Sequence, residues 1–139
     1  MRATNWTAEL ARDLGAKVVV VHVVSSAWLI ELSALQFNAD VLVRRARAEL
    51  VGSWTQPLRD AEVQYLTELV RGDPASELLR MADERRVELI VIGGTHHGGF
   101  RGAILGGTAH RVVNHSLQPV TVVPLEPRHT RPAMPPLPG

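Results

Sequence analysis

An open, doubly wound α/β fold with a parallel sheet is the class that this 139-residue sequence predicts. Three observations carry the prediction. Segments of strand composition alternate with segments of helical period, and in one domain that alternation argues for right-handed crossovers between parallel strands. The strand candidates "KVVVVHVV" (residues 17–24) and "VELIVIGG" (residues 87–94) are near-continuous apolar runs, as expected of strands covered by helices on both faces in a three-layer arrangement. The length suits one ordinary domain with a core of its own.

Taken in order, Ala3, Thr7, Leu10, Ala11 and Leu14 recur at helical spacing, and Gly15 stands where a glycine stop belongs. A first helix is therefore expected over residues 3–14, followed by a central strand. Residues 25–38 show no clear apolar period and read as a loop with a helical turn. A second helix starts near Ala39, with Leu42, Ala46 and Leu50 inward and Arg44, Arg45 and Arg47 on a solvated face. It reaches Trp54 or beyond, until Pro57 ends or kinks it. "EVQYLTELV" (residues 62–70) alternates as a strand. In "GDPASELLRMADERR", Asp73 is placed to cap a helix and Pro74 fits its first position, with Ala75, Leu78, Leu79 and Ala82 as the buried stripe. The strand at 87–94 ends in glycine. A short helix with Ala109, Val112, Val113 and Ser116 inward follows, then a last strand in "PVTVVP" (residues 119–124). The proline-rich remainder is expected to be disordered or extended, which divides the chain into a domain over 1–125 and a tail over 126–139.

Fifteen basic and fourteen acidic side chains give a net charge of +1. No basic stripe is interleaved with aromatics, so nucleic acid is not the expected partner. Cysteine is absent, which removes disulfides, thiolate nucleophiles and cysteine zinc sites and fits a reducing compartment. The longest apolar run is too short to cross a bilayer, and the polar start "MRATNWTAEL" does not read as a secretory leader. A cytoplasmic chain with no membrane partner is expected. Adjacent His96 and His97 diverge in an extended loop, and His110 and His115 are five apart rather than the three or four that share a helix face, so no metal site is expected. Trp6, Trp28 and Trp54 read as packing residues and His22 as a core histidine. There is no G-x-S-x-G and no serine with a local base, so a dedicated enzyme is not supported.

Residues 91–113, "VIGGTHHGGFRGAILGGTAHRVV", hold seven glycines between a buried strand and an amphipathic helix. Small residues after a strand let backbone amides approach an anion, and the following helix adds free N–H groups and partial positive charge. Glycines equally permit left-handed turns in a long loop that wraps over the sheet. The spacing is neither G-x-G-x-x-G nor the P-loop pattern, whose lysine is missing. Both readings stay open on spacing alone.

The stretch "ELIVIGG...GGFRGAILGG.AHRVVNHSLQPVTVVP" resembles the C-terminal signature of the universal stress protein family, and "NWTAELARDLGAKVVVVHVV" resembles that family's first helix and second strand. The resemblance covers nearly all of residues 2–124. It implies a Rossmann-like fold of the adenine nucleotide α-hydrolase type, dimerisation through the last strand and, in one branch, ATP held with Mg²⁺. That branch carries G-x-x-G, nine residues, then G-[S/T]. Aligned here, Gly93 is the first glycine, His96 occupies the second glycine position, Gly106 is the third and Gly107 occupies the hydroxyl position. Two of four positions depart. Loss of a hydroxyl bonded to a charged phosphate costs about 1.5–3 kcal/mol, roughly one to two decades of affinity, and Thr108 is placed to replace it in part.

The resemblance further implies a strand and an acidic loop ahead of the first helix, with that strand central between the strands at 18–24 and 89–92. Three arrangements answer to this: Met1 as an internal methionine of a longer chain, a strand donated by a partner, or direct pairing of the two flanking strands. The expectation at this point is a cytoplasmic, homodimeric stress-response module pairing through Val120–Val123. Its degenerate adenine-nucleotide site comprises Val23, Ile92, Gly93, His96, Gly106, Gly107 and Thr108, and it is at most a weak ATPase. The alternative is a dimeric interaction protein that binds no nucleotide. The two part on whether MgATP binds.

Overall fold

Valines at 18–21 and 23–24 leave the backbone little choice but an extended conformation, and β1 runs over Val18–Ser25. The computed structural model describes residues 2–94 and 106–124. Along them α1 (Arg2–Leu14) precedes β1, and α2 (Ser26–Ala34), α3 (Ala39–Val51) and α4 (Gln56–Asp60) lead to β2 (Tyr65–Gly72). Then come α5 (Pro74–Glu84), β3 (Ile90–Gly93), α6 (Gly107–His115) and β4 (Val120–Val123).

Both strand pairs are parallel: Val18 lies opposite Tyr65 and Ser25 opposite Gly72, while Ile90 lies opposite Val120 and Gly93 opposite Val123. The α/β class with parallel strands and crossover helices is thus the one the sequence predicts. Among the described residues, however, β1–β2 and β3–β4 form two separate two-stranded sheets. Direct pairing of β1 with β3, one of the three arrangements above, does not occur.

Helices cover both faces. Ala8 and Ala11 of α1 pack with Leu58 and Val63, against Val18, Val20 and Tyr65. On the other face Ala75 and Ala82 of α5 pack with Ile90 and with Val112 of α6, against Ile92 and Val120. The even-numbered residues of β1 and of β3 therefore serve opposite layers, and α5, which touches β1, β2 and α6, spans the two pairs.

Three expectations need correction. Residues 26–34 are helical, started by the Ser25 side chain accepting from Trp28 N–H. Pro57 does not end the second helix: α3 stops at Val51, and Pro57 sits in the first positions of α4, where its missing N–H costs nothing. Leu14 and Val113 are exposed, so the inner stripes of α1 and α6 are narrower than their apolar content. Gly15 behaves as expected. At φ +63 it takes the left-handed position past α1, and Ala16 N–H donates to Ala11 O (2.9 Å). The expected disorder of 126–139 lies outside the described residues.

Candidate functional site

In an open α/β sheet the carboxyl ends of the strands are where helices present their amino termini. Here β3 ends at Gly93, and Gly94 N–H donates to Val123 O (2.9 Å), keeping the strand pair intact to its tip. A side chain at Gly93 would rest 3.7 Å from the Ala3 methyl, so the start of α1 closes over this tip. Arg2 Nη1 donates to Pro124 O (3.2 Å) and ties the same helix start to the end of β4.

Helix α6 opens at Gly106, whose φ of −58 and ψ of 160 suit an N-cap but which has no side chain to cap with. The first intrahelical bond is His110 N–H to Gly106 O (2.9 Å). The amides of Gly107, Thr108 and Ala109 precede it and have no intrahelical acceptor. No acidic residue stands in this first turn. Val112 is fully buried against Ile90 and Ile92, which fixes α6 on β3.

Helix α5 makes the contrast. Asp73 accepts from Ser76 N–H (3.0 Å) and Ser76 Oγ (2.6 Å), and Glu77 adds a second carboxylate in the first turn. Arg111, one turn inside α6, donates to Asp73 (2.8 Å) and, more loosely, to Ser76 Oγ (3.3 Å). That guanidinium, with the Ser76 bonds, holds the Asp73 carboxyl well below the usual carboxylate range. One helix mouth is filled by its own anion; among the described residues no carboxylate fills the neighbouring one.

The structure brings Ile92, Gly93, Gly106, Gly107 and Thr108 onto the consecutive elements β3 and α6. Val23 is in the other strand pair, half-buried opposite Val70. His96, and with it the course of the loop between Gly94 and Gly106, lies outside the described residues. His22 packs on Trp54, ring centroids 4.9 Å apart and tilted by 56°, and burial keeps its imidazole below the ordinary value although Glu49 pulls the other way. Trp54 is thus a packing residue, whereas Trp28 and Trp6 are only partly covered, 46% and 37% exposed.

Sequence reasoning missed a groove of about 430 Å³ between α1 and β4, lined by Arg2, Asn5, Trp6 and Glu9 on one side and by 121–124 on the other. Residues 120 positions apart signal no such contact. Among the described residues no group of three His, Asp or Glu side chains could hold a metal ion, and no helix is long and apolar enough to cross a membrane.

Residues 1–124 match the model of the universal stress protein family. Among curated proteins, the universal stress protein MJ0531 of Methanocaldococcus jannaschii is 27% identical over 126 residues, covering 88% of this chain and 74% of that one. Universal stress protein YxiE of Bacillus subtilis is 28% identical over 131 residues, with 88% of each covered. Among solved structures, UspA of Lactobacillus plantarum superposes with a TM-score of 0.70 at 23% identity, covering 87% of this chain and 86% of that one. A universal stress protein from Archaeoglobus fulgidus in complex with dAMP gives 0.66 at 23%, covering 87% and 84%. Another in complex with cAMP gives 0.60 at 20%, covering 88% and 84%.

Proposed function

Because the chain belongs to the universal stress protein family, we propose that it is a stress-response module that binds an adenine nucleotide weakly, ATP with Mg²⁺ on its phosphates. The phosphates lie at the tip of β3 and the mouth of α6. One observation carries the reading: the amides of Gly107, Thr108 and Ala109 have no intrahelical acceptor, and among the described residues they meet neither a capping side chain nor a first-turn carboxylate, while α5 beside them is neutralised by Asp73. Uncompensated N–H groups at a helix start favour an anion. Universal stress proteins of the same fold have been solved with dAMP and with cAMP.

The donor set fits phosphate better than it fits a metal. With no carboxylate in the first turn of α6, a divalent cation would be held through the phosphates, whose charge it would offset. The missing hydroxyl at Gly107 puts the affinity in a weak range, a dissociation constant of roughly 0.1–1 mM, or about −4 to −5.5 kcal/mol. We place the module in the cytoplasm as a homodimer pairing through β4. Calorimetric titration with MgATP at near-physiological salt tests the site. Saturable heat in that range supports it; no heat at millimolar nucleotide leaves the reading of a dimeric interaction protein without nucleotide.

A further inference from the structure

We propose that the proline-rich segment following β4 docks on the exposed apolar surface of α2, seating Pro132, Pro135 and Pro138 against Trp28, Leu35 and Phe37. The surface is the first half of the argument. Helix α2 has nine residues and none is buried, yet it and its exit expose Trp28 (46%), Ile30 (71%), Leu35 (67%) and Phe37 (61%), with Val41 (49%) beyond. A helix this short is marginal in water without packing, and large apolar side chains left exposed along it and its exit mark a surface that something covers, Ile30 lying on the side away from Trp28. Trp28 and Leu35, seven residues apart, share one flank of the helix.

The sequence of the segment is the second half. Residues 125–139, "LEPRHTRPAMPPLPG", lie outside the described residues and leave from Pro124 at the end of β4. A polyproline II helix has three residues per turn, so prolines at 132, 135 and 138 fall on one edge, and such ridges dock on aromatic-lined surfaces at low entropic cost. At about 3.1 Å per residue that ridge spans roughly 19 Å, enough to run from Trp28 to beyond the end of α2. The eight steps from Pro124 to Pro132 reach about 25 Å, most of the way across a domain of radius of gyration about 14 Å.

Charge complements the fit. Arg128 and Arg131 precede the ridge, and Glu31 and Asp40 flank the patch, exposed and outside any ion pair among the described residues. On α3 itself Arg44 stands one turn beyond Asp40, followed by Arg47, and Arg45 is held by Glu49 (3.3 Å).

The chain has no cysteine, so Ala133→Cys gives a single site for a nitroxide label in the full chain. Amide resonances of residues 28–37 should lose most of their intensity when the label is paramagnetic and regain it when it is reduced. Replacing Pro132, Pro135 and Pro138 by Ser in the labelled chain should abolish the loss while the β1–β2 amides stay unshifted. Three results overturn the proposal: no loss at α2, a loss confined to the groove around Trp6, or a loss seen only in mixtures of spin-labelled and isotope-labelled chains, which would make a second copy the occupant.

Discussion

Among the described residues, no heavy atom beyond its chain neighbours and its own helix backbone lies within 4 Å of where a Cβ at Gly107 would stand, and the residue takes an ordinary helical conformation. Gly107→Ser therefore adds a hydroxyl at the mouth of α6 without strain, and should tighten MgATP binding by roughly one to two decades, about 1.5–3 kcal/mol. Unchanged affinity in the calorimeter would sink the alignment that sets Gly107 in the hydroxyl position. Asp73 offers a test by pH. Its folded carboxyl is held below the ordinary range by Arg111 and then Ser76, so its stabilising effect is present above the unfolded value, about pH 4, and is lost as pH falls below it. Asp73→Asn, which keeps a capping oxygen, should melt below the wild type at pH 7, with the gap closing in acid and shrinking in salt because both partners are half-exposed. Thermal melts across pH check this. The capping role of Asp73 was legible, because the cap and Ser76 are three residues apart; Arg111 was not, because it lies 38 residues away and only the packing of α6 on α5 brings it there.

The junction of α3 and α4 shows how an element is ended from outside itself. Thr55, fully buried, turns its hydroxyl to the carbonyls of Leu50 (3.0 Å) and Val51 (3.1 Å), the last of α3. Arg59 then reaches back to Val51 O (2.8 Å), Gly52 O (2.5 Å) and Thr55 Oγ1 (2.7 Å). Thr55→Val keeps the shape and removes the donor, so it should cost about 1–2 kcal/mol, Arg59 still serving Val51 O; urea unfolding should show a lower midpoint at unchanged slope. Helices with one apolar stripe and a cap, such as α1 and α5, were readable from period and punctuation. α2 was not, since Trp28, Leu29, Ile30 and Leu32 run around the helix and leave no period to detect. Pro57 misled for a related reason: the same residue that breaks a helix interior is at home in a first turn, and only position tells the two apart.

On the scale of the whole molecule, the question is which backbone groups still look for partners. The two strand pairs are joined through α1 and α5 rather than through a shared ladder, and among the described residues no strand pairs with the outer edge of β4. Its ladder with β3 is bracketed by two bonds, Ile90 N–H to Pro119 O (3.0 Å) and Gly94 N–H to Val123 O (2.9 Å). In a parallel ladder alternate residues face the same neighbour, so Thr121 and Val123 serve β3 while the N–H and C=O of Val120 and Val122 point away from it. An edge of this kind is a template for a second copy of itself, and Pro119 and Pro124, which cannot donate, confine the pairing to the residues between them. Val122→Pro removes one outward amide and leaves the β3 ladder untouched, a substitution that edge strands tolerate. Sedimentation velocity should show a dimer for the wild type and a shift to monomer for the variant, with circular dichroism unchanged. If the wild type already sediments as a monomer at tens of micromolar (~10–100 μM, about −5.5 to −7 kcal/mol), β4 is not a dimer edge.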